Sequence, residues 1–157
     1  MTRKERAVAY FKMGHNCSQS VFLAFADKYG LEEEMALRIA ASFGGGIGRM
    51  REVCGTVCGM SLVAGLETGA IDGSLEGKKK NYDVVQKLAG KFRERNGSII
   101  CRELLGELLK DRPKEENSFT DTTPEARTQE YYRKRPCIAL IESAVEILQE
   151  EFKEGGC

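Results

Sequence analysis

The chain has 157 residues, enough to bury one hydrophobic core without disulfide or metal staples. Its 24 lysines and arginines balance 24 aspartates and glutamates, which removes the basic field that nucleic acid or an anionic membrane would call for. With 41% hydrophobic and 31% charged residues, it falls in the globular class and outside the disordered one.

Taken in order, residues 3–13 place Ala7, Val8, Phe11 and Met13 on one face of an amphipathic helix that stops at Gly14. Asn16 is suited to cap a second helix over 17–29, with Val21, Phe22, Ala24 and Phe25 inside and Gly30 at its end. A third runs over 32–42, where Glu32, Glu33 and Glu34 complement the positive end of the helix dipole. Met35, Ala36, Ile39, Ala40 and Phe43 form its apolar stripe. The run Gly44-Gly45-Gly46-Ile47-Gly48 then breaks the pattern as a flexible segment. Beyond it, 53–67 is an apolar helix with Gly55, Gly59 and Gly65 presenting bare backbone to neighbours. Glu67 and the glycines interrupt that apolar stretch, so it reads as a buried helix and not a membrane span.

A long charged helix follows over 75–95, with Tyr82, Val85, Leu88, Ala89 and Phe92 at helical spacing; its Lys78-Lys79-Lys80 run is a solvated face. Asn96-Gly97-Ser98 is a turn, and Cys101 opens a short helix carrying Leu104, Leu105, Leu108 and Leu109. Periodicity is lost over 111–135, read as an irregular loop or flap with a helical turn near 124–131. Pro136-Cys137 starts the last helix, to about residue 152, because proline suits a first helical turn. No strand pattern or repeat is present. The expectation is an all-α, single-domain bundle of six to seven helices spanning 1–157, with a homodimer as its assembly.

Six cysteines dominate the chemistry, beside a lone His15. The charged N-terminus is not followed by a signal-peptide core, so a cytoplasmic location is expected. In that reducing compartment cysteines serve metal, cluster or redox chemistry more often than structural disulfides. Cys17, Cys54, Cys101 and Cys137 each fall at or near a predicted helix start, where unpaired backbone N–H groups favour a thiolate. A thiolate is both the nucleophile of disulfide exchange and a ligand for soft metals. Cys58 lies one turn beyond Cys54, placed to share a ligand, to act as a local resolving thiol or simply to pack. His15 is read as a base, a ligand or a structural residue, and Cys157 as part of a frayed tail.

Other templates fail. No Cys-x-x-Cys occurs, which excludes thioredoxin-type and c-type haem motifs, and the spacings suit neither zinc knuckles nor ferredoxin runs. The glycine run does not complete Gly-x-Gly-x-x-Gly, because Arg51 occupies the last position. Arg49 and Arg51 read as a solvated basic loop, with anion binding as the lesser alternative.

Four segments carry a family resemblance: Cys17 after Gly14-His15-Asn16, Cys54-Gly55-Thr56-Val57-Cys58-Gly59, Cys101 before Gly106, and Pro136-Cys137. In this order they resemble the C_GCAxxG_C_C family, named for its cysteine pattern. Thr56 stands where the motif has alanine, and Cys58 is an added thiol. The resemblance implies a redox role, and a more distant likeness to the N-terminal part of split-Soret cytochromes implies an iron–sulfur or metal site.

The expected site therefore comprises Cys17, Cys54, Cys101 and Cys137, with Cys54 as the central thiolate. It works either by thiol–disulfide exchange with an unidentified redox partner or by holding an iron–sulfur cluster or zinc, with Cys58 as an additional ligand. The alternative is a non-catalytic metal-binding or interaction module serving a transporter or partner enzyme.

Overall fold

The computed structural model describes residues 1–109 and 122–153, and Cys157 lies outside them. Among the described residues there are eight α-helices and no sheet. They are α1 (Arg3–Lys12), α2 (Cys17–Leu23), α3 (Glu33–Ala40), α4 (Gly55–Thr68), α5 (Leu75–Asn96), α6 (Cys101–Leu105), α7 (Gln129–Lys134) and α8 (Cys137–Glu151). Short 3-10 turns follow α2, α3 and α6. The all-α, single-domain expectation agrees with this fold. The eighth helix is α7, which lies at the end of the stretch read as loop, while 111–121 falls outside the described residues.

Helix α4 is buried on nearly every side from Gly55 to Ala64, where its residues are mostly apolar or small. It packs against α2, α5 and α8, while α1 closes on α2 and α8 and α3 covers α2. Phe11, Phe22, Met60, Leu88, Phe92, Ile141, Ile147 and Leu148 are the largest wholly buried apolar side chains. No helix among the described residues is long and apolar enough to cross a membrane.

Local chemistry sets the boundaries. Asn16 and Gln19 form a reciprocal capping box at the start of α2. The Asn16 side chain also donates to the Ala41 carbonyl and thereby anchors the end of α3. Ser74 caps α5, and Gly97 closes it at φ 92°.

Gly55 and Gly59 permit the close α2–α4 contact: a Cβ on Gly55 would lie 3.2 Å from that of Cys17, and one on Gly59 3.0 Å from that of Val21. Gly65, expected to behave likewise, faces open space. Met13, Met35, Ile39 and Tyr82, assigned to apolar stripes from spacing, are exposed. The helices they belong to use narrower buried faces, such as Ala36 and Ala40 in α3.

The glycine run is not a flexible spacer. Gly45, Gly46, Ile47, Gly48 and Arg49 all adopt left-handed φ between 55° and 73°, and Arg51 does so at 60°. Each non-glycine residue held there costs roughly 1–2 kcal/mol. Backbone bonds hold the loop closed, including Gly48 N–H to Ser42 O at 2.7 Å and Glu52 N–H to Gly46 O at 2.9 Å. Past the loop, an isolated antiparallel bridge pairs Val53 with Ile100. Through it the Cys54 amide donates to Ile99 O at 2.7 Å and the Cys101 amide to Glu52 O at 2.6 Å. The chain segments leading into α4 and α6 are thereby clamped together.

Candidate functional site

The four cysteines predicted to act together stand at four helix starts. Cys17, Cys101 and Cys137 are the first residues of α2, α6 and α8, and Cys54 is the N-cap of α4. All four line one cavity of about 420 Å³, walled also by the left-handed loop and by Arg49, Arg51, Arg127, Arg135 and Tyr131. Cys58 does not line it; its thiol turns to the Val53 carbonyl at 3.8 Å. Nor does His15, whose carbonyl accepts a bond from Arg127 and whose ring meets Tyr10 edge-on.

Helix starts alone do not ionise these thiols. Burial pushes the Cys54 thiol up to about 11 against the opposing contact with Thr56. Burial likewise raises Cys58 to about 11. It raises Cys101 as well, opposed by the Arg51 guanidinium, whose Nη1 lies 3.7 Å from the sulfur. In each case the cost of removing a thiolate from water exceeds the local stabilisation.

Cys137 behaves differently. Its thiol is lowered from 9.0 to about 7, first by a hydrogen bond from Cys17 and then by Arg135, Arg127 and Arg51, against the cost of burial. Cys17 moves the other way, well above its ordinary value, because it donates that bond and because it is buried. Of the two, Cys137 is the thiol whose surroundings favour ionisation. Burial opposes ionisation of Cys54, expected as the central thiolate, whose sulfur faces the neutral Thr56 hydroxyl at 3.1 Å.

Two of those arginines come from the stretch that reads as irregular. Arg127 stacks over Phe11 at 4.3 Å and Tyr131 at 4.9 Å, and it donates to the carbonyls of Phe11 and His15. Arg135 stacks over Tyr131 and pairs with Glu125 at 2.6 Å. Thr128 caps α7 and so fixes the helix that carries Tyr131. A hint was present in sequence: Arg135 lies two residues before Cys137, and Arg51 three before Cys54. The expectation that Arg51 belongs to a solvated loop is overturned, since its residue is only 9% exposed.

Among the described residues no three histidine, cysteine or acidic side chains are placed to hold a metal ion. The sulfurs are engaged separately instead: Cys17 with Cys137, Cys54 with Thr56, Cys101 with Arg51.

The ionisation of Cys137 gives a direct expectation. Its thiolate exists above pH 7 and is lost as pH falls through that value, so its alkylation by iodoacetamide should rise with a midpoint at about pH 7. Cys54 and Cys58 should stay slow until about pH 11. Residue-resolved mass spectrometry reads both, and a Cys137 midpoint near 9 would contradict the assignment.

Comparison with known proteins agrees with the cysteine arrangement. The model of the family described as "Putative redox-active protein (C_GCAxxG_C_C)" matches residues 15–151. An uncharacterized protein of Archaeoglobus fulgidus is 28% identical over 160 aligned positions, covering 96% of this chain and 93% of the relative. No solved structure matches the chain. With the family model running from just before Cys17 to the last residue of α8, the chain belongs to the C_GCAxxG_C_C family.

Proposed function

We propose that the protein carries out thiol–disulfide exchange, with Cys137 as the attacking thiolate and Cys17 as the resolving thiol. The observation that supports this most strongly is that both cysteines stand at helix starts on one cavity lined by arginines, whose charge favours ionisation of Cys137.

Cys137 Sγ attacks one sulfur of a disulfide RS–SR, forming a Cys137–S–SR bond and releasing RS⁻. That step neutralises Cys137, and the two influences from Cys137 that raise the Cys17 thiol disappear with its charge. Cys17 then gives its proton to the released RS⁻ and attacks Cys137 Sγ. The products are a Cys17–Cys137 disulfide and a second RS⁻, protonated from solvent. The substrate disulfide is reduced by two electrons and the cysteine pair is oxidised by two; the reverse sequence oxidises a dithiol. Cys54 and Cys101 line the same cavity, but their thiols are held above their ordinary values and stay protonated during the exchange.

Equilibration in graded mixtures of oxidised and reduced dithiothreitol, followed by acid quench and peptide mapping, tests the reading. A single intramolecular disulfide joining Cys17 to Cys137 is expected, titrating as a two-electron couple. Oxidation that bypasses this pair, or a protein whose thiols stay reduced throughout, would sink it.

A further inference from the structure

The exchange chemistry accounts for the sulfurs and for only part of the charge around them. Among the described residues the cavity wall holds four arginines and one glutamate, Glu125, which pairs with Arg135. Arg51 stands out among them. It is nine-tenths buried, yet its only described side-chain partner is the neutral Cys101 sulfur; no carboxylate among the described residues pairs with it. Its backbone is held at φ 60°, a conformation that costs energy for any side chain other than glycine. The counter-charge it meets is the Cys137 thiolate, which is lost once that sulfur is bonded into the mixed disulfide; an anionic group on the substrate would then compensate the buried guanidinium.

The cavity also limits the size of what enters. Cys54, Cys101 and Cys137 are 4–8% exposed, which favours a small disulfide over one set in the backbone of a folded protein. A volume of about 420 Å³ is that of a small-molecule pocket.

Building on the exchange reading, we infer that the substrate is a small disulfide carrying an anionic group such as a carboxylate, and that Arg51 anchors that anion in the cavity. Anion and disulfide sulfur then occupy one enclosed space, with the sulfur presented to Cys137. Arg51 acts as a binding residue; the bonds made and broken are those of the exchange described above.

Two matched sets of probes test this on the full-length reduced protein. The first set, thiodiglycolate and thiodiglycol, shares a thioether and cannot oxidise a thiol. Calorimetry at low salt should find the dicarboxylate bound about tenfold more tightly or better, as expected for a charge-assisted guanidinium contact. Arg51→Gln should abolish that margin and Arg51→Lys should keep part of it.

The second set comprises dithiodiglycolate, hydroxyethyl disulfide and cystamine: anionic, neutral and cationic. Each rate of oxidising the Cys17–Cys137 pair is divided by that disulfide's rate with a free small thiolate. The normalised rates should fall in that order, and added salt should compress them.

Equal binding of thiodiglycolate and thiodiglycol by the wild type overturns the anion site, whether or not any variant folds. So does a margin that survives in folded Arg51→Gln. In either case oxidation of the pair by any of the three disulfides leaves the exchange reading standing. Thiodiglycolate binding that depends on Arg51, with no disulfide oxidising the pair, overturns the exchange reading and the substrate assignment built on it.

Discussion

Replacing Cys137 with serine should reduce the reaction with disulfides at pH 7 by roughly a hundredfold. The magnitude follows from ionisation. About half of Cys137 is thiolate at that pH, whereas a thiol raised to about 11, as at Cys54, is ionised to roughly one part in ten thousand. The more basic thiolate is intrinsically more nucleophilic, which returns close to two of those orders of magnitude.

Replacing Cys17 instead should separate the two steps. Cys17→Ser keeps a hydroxyl donor toward Cys137, so the first attack persists, but the mixed disulfide cannot resolve and should accumulate as a stable adduct. Cys17→Ala removes the donor as well, so the Cys137 alkylation midpoint should also move up, because the Cys17 hydrogen bond is the largest influence lowering it. Intact-protein mass spectrometry during the reaction reads all three variants. A Cys17→Ser protein that turns over disulfides without trapping an adduct would refute the resolving role.

Gly46→Ala should cost about 3 kcal/mol of folding free energy, lowering the thermal midpoint by about 10 °C. Two effects add. The residue sits at φ 73°, where a Cβ is unfavourable, and that Cβ would lie 2.7 Å from both the Cys101 Cβ and the Glu52 nitrogen. The second contact is with backbone, which has little room to retreat. Gly90→Ala supplies the contrast, since Gly90 lies within α5 with nothing near its missing Cβ. That change should stabilise by up to about 1 kcal/mol. Calorimetric unfolding of the two variants should move in opposite directions; equal midpoints would mean that the loop geometry is not required.

Much of the fold is legible because local rules and packing agree. Asn16, Ser74, Gly97 and Pro136 mark helix ends that the structure respects, and the cysteines do fall at helix starts. The ionisation of those cysteines was not legible from the same reasoning. A helix start favours a thiolate, but burial opposes it, and the balance depends on which cations lie near. Those cations come from distant places: Arg51 from a left-handed loop, Arg127 from an irregular segment, Arg135 from the end of α7. No periodicity brings them together. Thr56 shows the same limit, since a substitution read as a small change in the motif places a hydroxyl 3.1 Å from the Cys54 sulfur.

The bridge between Val53 and Ile100 has a consequence for how the chain tolerates change. The amides of Cys54 and Cys101 hold both residues in place independently of the contacts that their thiols make. Exchanging either thiol for another small group therefore leaves the scaffold, and the other thiol, where it was. Insertions behave in the opposite way. One residue added between Gly44 and Val53, or between Gly97 and Ile100, shifts the bridge register and carries both sulfurs out of place together. Across related chains, length in these two segments should be held more tightly than the identity of the side chains they carry.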